Sequence, residues 1–455
     1  MTDSPSRVPV AAVKRPGRAP DAPAAFLVHG SQCNKSMMLQ LARYLALNGV
    51  DAYAIDLPGH GASPEPHLDA RAAPVASEAL EWLVRHEGLR RDRVVLVGHS
   101  YGATVLGRVA LAEPSPAAAI FLGPAPAAGL TPDVPRALLV VTAEHDYDFI
   151  VGAARSIMAD ATGGALAEPG AWPGERGPPR AWRVAAGMGH VGLILSPRVF
   201  HEVLAWIEAS TGHAAGPEKL PATRESLALL LLVPVLLTAP FLSVPVPDRP
   251  TGPRLRPFLI LGCAWFGALL VIGRFVPLQV LRLREGEVLG SLLLVAGALA
   301  AALDLALCRG AHLPTPRNVA NGVPVALGAL AVLYLCGAGL LERDFYHVAI
   351  ARERAAIVAV LAVATFPFFA FCEGLFPSRG PGRALAVGAV FAVAAVSLGL
   401  LRMGLERFGL ALFLLGAGCA ALGSVVARVA RNAAASPVFS ALVTGWILAV
   451  GFMRY

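Results

Sequence analysis

Along residues 24 to 210, short runs that are almost wholly apolar alternate with segments whose apolar residues recur at helical spacing. The runs are AAFLVHG (24 to 30), VDAYAID (50 to 56), RVVLVGHS (93 to 100), AAIFLG (118 to 123), ALLVVTAEHD (137 to 146) and AWRVAAG (181 to 187). Helices are predicted near 36 to 48, 75 to 87, 101 to 112, 149 to 160 and 197 to 209. A strand that is apolar on both sides needs cover on both faces, so the alternation predicts an α/β fold with a mainly parallel sheet. VPVAAV (8 to 13) is a candidate edge strand inside a flexible arm, residues 1 to 23, rich in Pro, Ala and Arg. GGALAEPGAWPGERGPPR (163 to 180) reads as a loop because Gly and Pro break any period there. Residues 211 to 224 read as a linker.

From residue 225 to 455 the pattern changes to long apolar runs, near 226 to 247, 255 to 277, 287 to 308, 322 to 341, 355 to 376, 384 to 401, 408 to 427 and 437 to 453. Most approach the roughly 20 residues that cross a hydrocarbon core as helix. The first contains Pro234 and Pro240 and the last is short, so the count is seven or eight. The second half is therefore expected to be an all-α polytopic transmembrane domain of about 8 helices.

Composition points the same way. The chain is 56% hydrophobic and 15% charged, with a mean hydropathy of +0.61, too apolar for an ordinary soluble protein. Its net charge of +7 comes almost wholly from Arg, with Lys only at 14, 35 and 219. These charges are scattered rather than gathered into a patch, which argues against nucleic acid and fits topology signals and anionic lipid head groups. The cysteines at 33, 263, 308, 336, 372 and 419 lack metal-knuckle spacing and read as small buried hydrophobes. Neither a metal nor any other cofactor is called for. Arg and Lys divide almost evenly between alternate loops of the membrane half. The N-terminal stretch has no apolar h-region, and on that ground the first domain is expected to stay in the cytoplasm.

The chemistry gathers in VVLVGHSYGATVLG (94 to 107), which has the form strand, Gly98-x-Ser100-x-Gly102, helix. Glycines on either side let a strand turn sharply into a helix, lifting the serine hydroxyl to the helix N-terminus, where the dipole and a backbone N–H favour an oxyanion. A serine nucleophile needs a base, and AAGMGHVG supplies His190 after the last predicted strand. The base needs a carboxylate, and LLVVTAEHDYD supplies Asp146, with Glu144 and Asp148 as rivals. Asp146 alternatively reads as the N-cap of the helix that follows.

Five segments in order resemble the α/β-hydrolase superfamily over residues 24 to 210. FLVHGSQCN is similar to its His-Gly oxyanion segment and YAIDLPGHGAS (53 to 63) to its Asp-x-Pro-Gly-His-Gly-x-Ser loop. GHSYG (98 to 102) is similar to the nucleophile elbow, AEHD (143 to 146) to the acid loop and GMGH (187 to 190) to the histidine loop. The order Ser100, Asp146, His190 matches the family triad, and the family spacing selects Asp146 over its rivals. The resemblance implies an oxyanion hole from the backbone N–H groups of Tyr101 and Ser31, with Gln32 as the alternative to Ser31. His29, His60, His99, Cys33 and Asp56 are expected to be framework residues. In many relatives a helical cap precedes the acid loop. Here only PAPAAGLTPDVPR (124 to 136) fills that interval, so no sizeable cap and an open cleft are expected.

In the membrane half, Asp304 and Glu373 lie within apolar runs, and Arg274 and Glu342 lie at run ends. Snorkelling or interfacial placement is the first reading for them, a transport role the second. The whole is expected to be a membrane-bound serine hydrolase acting on a small-molecule or lipid acyl ester at the bilayer. The competing readings are an amidase or aminopeptidase of the same fold, and a transporter or scaffold with a regulatory hydrolase-like domain.

Overall fold

The computed structural model describes residues 8–14, 21–126, 129–172, 179–214, 219, 255–275, 284–310, 313–341, 350, 352–375, 387–393 and 409–451. They form two compact units, one built on residues 1–223 and the other on Arg224–Leu340 with Val348–Arg454.

The first unit holds an eight-stranded sheet: β1 (Val10–Val13), β2 (Ala24–Val28), β3 (Asp51–Ile55), β4 (Val94–His99), β5 (Ala118–Leu122), β6 (Leu138–His145), β7 (Gly170–Trp172) and β8 (Arg180–Gly189). Their spatial order is β1-β3-β2-β4-β5-β6-β8-β7. The six inner strands run parallel, and the edges β1 and β7 are antiparallel to β3 and β8. Strand β7 lies within the stretch expected to be loop, where Gly170, Ala171 and Trp172 pair with Trp182, Ala181 and Arg180. Five helices follow the strands: α1 (Leu39–Leu47), α2 (Asp69–Glu87), α3 (Tyr101–Ala112), α4 (Asp148–Ala161) and α5 (Pro197–Thr211).

Two apolar layers explain the strand composition. Phe26, Val28, Tyr53, Ile55, Leu96, Phe121 and Val140 face α2, α3 and α4. Their neighbours Ala25, Leu27, Ala52, Ala54, Val97, Ile120 and Leu139 face α1 and α5. Successive residues of a strand point to opposite faces, so a strand buried on both faces is apolar throughout. Between β5 and β6 the described residues contain only a bridge from Thr131 to Val134 and no helix.

The second unit is helical: α6 (Leu255–Phe275), α7 (Arg284–Cys308), α8 (Pro316–Leu341), α9 (Arg352–Leu375), α10 (Gly409–Val429) and α11 (Ala435–Gly451). Three segments among the described residues are long and apolar enough to cross a membrane: Val288–Cys308, Pro316–Leu335 and Arg354–Cys372. Shorter apolar helices are Leu259–Val271, Leu415–Val429 and Ala435–Val450. The expected span at 226 to 247, most of that at 384 to 401, and Glu342 lie outside the described residues, as do the side chains of Arg274 and Glu373. Asp304 is fully buried. Small residues set the helix spacing: a β-carbon on Gly297 of α7 would lie 2.3 Å from the Phe368 amide nitrogen of α9.

Candidate active site

Strand register places the chemistry. His99 pairs with Leu122 across β4 and β5, so Ser100 and Gly123 leave adjacent strand ends together. His145 pairs with Gly189 across β6 and β8, after a register shift, so Asp146 and His190 emerge side by side. The four residues thus gather at the C-terminal edge of the parallel strands, where open α/β sheets bind their ligands.

Ser100 has φ +53° and ψ −119°. A non-glycine residue at positive φ costs of order 1–3 kcal/mol and persists only where its surroundings hold it. Three backbone hydrogen bonds do so: its N–H donates to Leu122 O (2.9 Å), and its carbonyl accepts from Ala103 N (3.0 Å) and Ala125 N (3.2 Å). The flanking glycines are sterically required. A β-carbon on Gly98 would stand 2.6 Å from Ala103 N, and one on Gly102 would stand 2.2 Å from Val28 O.

Asp146 Oδ1 lies 2.7 Å from His190 Nδ1. The carboxylate also accepts from Ala143 N (3.1 Å) and Tyr147 N (3.0 Å). Burial works to raise the Asp146 carboxyl, but the His190 hydrogen bond and the two backbone donors outweigh it and hold it below the ordinary carboxylate value. An ionised Asp146 fixes the proton on His190 Nδ1 and leaves Nε2 as the acceptor. The N-cap of α4 is Tyr147, not Asp146. Of the rival acids, Glu144 accepts from Gly187 N (2.7 Å) and Asp148 begins α4, exposed.

His190 is joined to the elbow from two sides. A β-carbon on Gly123 would lie 2.7 Å from its Cε1. The His99 ring sits 4.8 Å away, with its Nε2 3.4 Å from the His190 carbonyl. Burial pulls His99 down to about 3, so it is neutral at working pH. This geometry makes it a support for the His190 backbone.

The segment expected to supply an oxyanion donor lies against Ser100: a β-carbon on Gly30 would be 2.9 Å from Ser100 Cβ. Ser31 follows, exposed, and Gln32 sits at φ +57° in a turn closed by Cys33 N donating to Gly30 O (3.2 Å). Tyr101 opens α3, where backbone N–H groups have no partner within the helix. His29 is buried and donates through Nδ1 to Gly30 O (2.8 Å), while Nε2 accepts from Leu57 N (3.2 Å). Burial lowers its pKa, in keeping with this neutral tautomer. The His60 ring lies tilted 4.9 Å from that of His29 and edge-on 5.5 Å from that of His67, and His67 meets the Tyr101 ring edge-on at 5.8 Å.

Sequence reasoning missed Lys35. Its ammonium is buried and lies 2.5 Å from Asp56 Oδ2, its backbone N–H donates to Asp56 Oδ1 (2.8 Å), and Ala62 N donates to Oδ2 (3.0 Å). Asp56 thereby ties the end of the segment at 30 to 35 to the loop at 57 to 62. Nothing in SQCNKS signals a buried lysine. The one clue was an acid at the end of a fully apolar strand, since a buried carboxylate needs a partner. Among the described residues no cluster of three or more His, Cys, Asp or Glu could hold a metal.

Residues 20–151 match the family model described as serine aminopeptidase, S33. Among solved structures, Est1E from Butyrivibrio proteoclasticus with ferulic acid bound is similar at 12% identity, covering 46% of this chain and 96% of its own, with a TM-score of 0.37. An esterase from Thermogutta terrifontis with malate bound has 15% identity, covers 45% and 94%, and scores 0.35. A monoacylglycerol lipase from Paleococcus ferrophilus has 17% identity, covers 46% and 99%, and scores 0.34. A comparison with curated proteins gave no match. The mostly parallel sheet, the elbow at the end of β4 and the family match together identify the first unit as an α/β-hydrolase fold.

Proposed function

We propose that this chain is a membrane-bound serine hydrolase that cleaves carboxylic esters of lipids or other apolar acyl compounds. Ser100 Oγ attacks the acyl carbon while His190 Nε2 takes its proton. The backbone N–H groups of Tyr101 and Ser31 receive the oxyanion. His190 then passes the proton to the leaving alcohol, and water, activated by the same imidazole, hydrolyses the acyl-enzyme. Asp146 orients the ring and stabilises its charged form. The observation that carries this reading is the bond between His190 Nδ1 and Asp146 beside a serine held at positive φ.

The membrane part of the proposal draws on the three apolar helices long enough to cross a bilayer. In it the second unit is multi-pass, the first faces the cytoplasm, and substrates are drawn from the bilayer. The serine aminopeptidase description of the matching family favours a second reading, hydrolysis of amides at a peptide N-terminus by the same residues. The test is turnover by the purified full chain of p-nitrophenyl esters of graded chain length beside aminoacyl p-nitroanilides. Ester turnover abolished by Ser100→Ala is expected. Faster anilide than ester turnover would favour the second reading, and ester turnover that survives Ser100→Ala would sink both.

A further inference from the structure

Beside His190 the surface carries a pair of large aromatic side chains with no structural burial to explain them. Tyr147 is 43% exposed and Phe149 is 55% exposed. Their rings stack at 5.6 Å between centroids with 16° between planes. The Tyr147 ring lies 5.5 Å from that of His190. Val191, the residue after His190, is 49% exposed. No cap helix stands between β5 and β6 among the described residues to cover them.

Large apolar groups left in water are favourable to cover, and a near-parallel ring pair presents a flat face that an aromatic ring can stack on. The pair is anchored to the machinery. The Tyr147 backbone N–H holds Asp146 Oδ1 at 3.0 Å, and Phe149 sits in the first turn of α4. We propose that Tyr147 and Phe149 form the leaving-group subsite and select esters whose alcohol carries an aryl ring. This rests on the hydrolase reading above. His190 must hand its proton to the leaving oxygen, so the group on that oxygen lies close to the imidazole, and the exposed aromatic surface 5.5 Å from that imidazole is the Tyr147 ring, with Phe149 stacked on it. The ester C–O bond breaks, the alcohol leaves with the His190 proton, and the aryl group is held on the ring face until release.

The test uses the full chain in detergent. Benzyl and ethyl butyrate share an acyl group and differ only in the alcohol. In Tyr147→Ala/Phe149→Ala the benzyl-to-ethyl ratio of kcat/KM is expected to fall about fivefold to tenfold, the value of losing an aromatic stack, chiefly through KM for the benzyl ester. Tyr147→Phe should keep the ratio. A second measurement reads the subsite without turnover: benzyl alcohol is titrated into Ser100→Ala protein carrying 4-fluorophenylalanine at position 149, followed by fluorine NMR. A ratio that does not move overturns the subsite and leaves the esterase reading standing. If neither ester is turned over, the titration decides: a saturable shift supports an aryl-binding site while the hydrolase reading fails alone, and no shift removes both.

Discussion

Replacing Lys35 by Met should cost the first unit about 3–5 kcal/mol, the range for removing one partner of a buried ion pair. Methionine has nearly the lysine's volume, so packing is little disturbed. What changes is charge: Asp56 is fully buried and keeps only the backbone donors of Lys35 and Ala62. At about 2–4 °C per kcal/mol for a unit of this size, its unfolding midpoint should fall by roughly 6–20 °C. The pH dependence is a sharper check. Burial acts to raise Asp56, but the Lys35 charge and the Lys35 hydrogen bonds overcome it and depress the carboxyl in the folded protein. A depressed carboxyl contributes stability above its unfolded pKa and loses it as pH falls through the folded pKa. Lys35→Met removes the largest of the depressing contributions, so the gap between wild type and variant should be widest near neutrality and close on acidification. Lys35→Met/Asp56→Asn, which removes both charges and keeps an oxygen acceptor for the backbone donors, should recover part of the loss. The assay is thermal unfolding of the full chain in detergent, followed by tryptophan fluorescence from pH 3 to 8. A loss under about 1 kcal/mol at neutral pH, a gap independent of pH, or a double variant no better than the single would each refute the reasoning.

Other substitutions probe the same layout. Gly30→Ala places a β-carbon 2.9 Å from both Ser100 Cβ and His99 Nδ1, and shifting the oxyanion segment should cut kcat by on the order of 100-fold with little change in midpoint; steady-state kinetics and a melt decide. Asp146→Asn should lower kcat by about 10⁴ by favouring the wrong His190 tautomer, while retaining the fold by circular dichroism; a loss under tenfold would remove Asp146 from the mechanism. Gly297→Ala in the second unit meets the Phe368 amide nitrogen at 2.3 Å and should destabilise that unit by about 1–3 kcal/mol, read as faster aggregation on heating in detergent.

The sheet was legible because burial on both faces leaves a mark at every strand position, as Phe26 and Leu27 on opposite faces of β2 illustrate. Where that mark was missing, boundaries slipped. Helix α2 begins at Asp69 rather than near 75, because the polar first turn and Pro74 hide its start. Strand β7 has three residues in a Gly- and Pro-rich stretch, and its pairing with β8 is a long-range fact no local pattern carries. The site divides in the same way. Ser100 was marked by its glycines, and the structure gives those glycines their steric reason at Ala103 and Val28. Asp146 stood among three nearby acids, and its bond to His190 depends on the register of β6 against β8. Lys35 and the Tyr147–Phe149 pair were invisible for a common reason: burial of one and exposure of the other are properties of the tertiary fold.

The central claim is that Ser100 is an activated nucleophile. Treating the full chain in membranes with a fluorophosphonate probe, beside Ser100→Ala and His190→Ala, tests it most directly. Labelling of wild type with loss of label in both variants is the result the account predicts. A wild type that takes no label, or a Ser100→Ala protein labelled as fast as wild type, would contradict it.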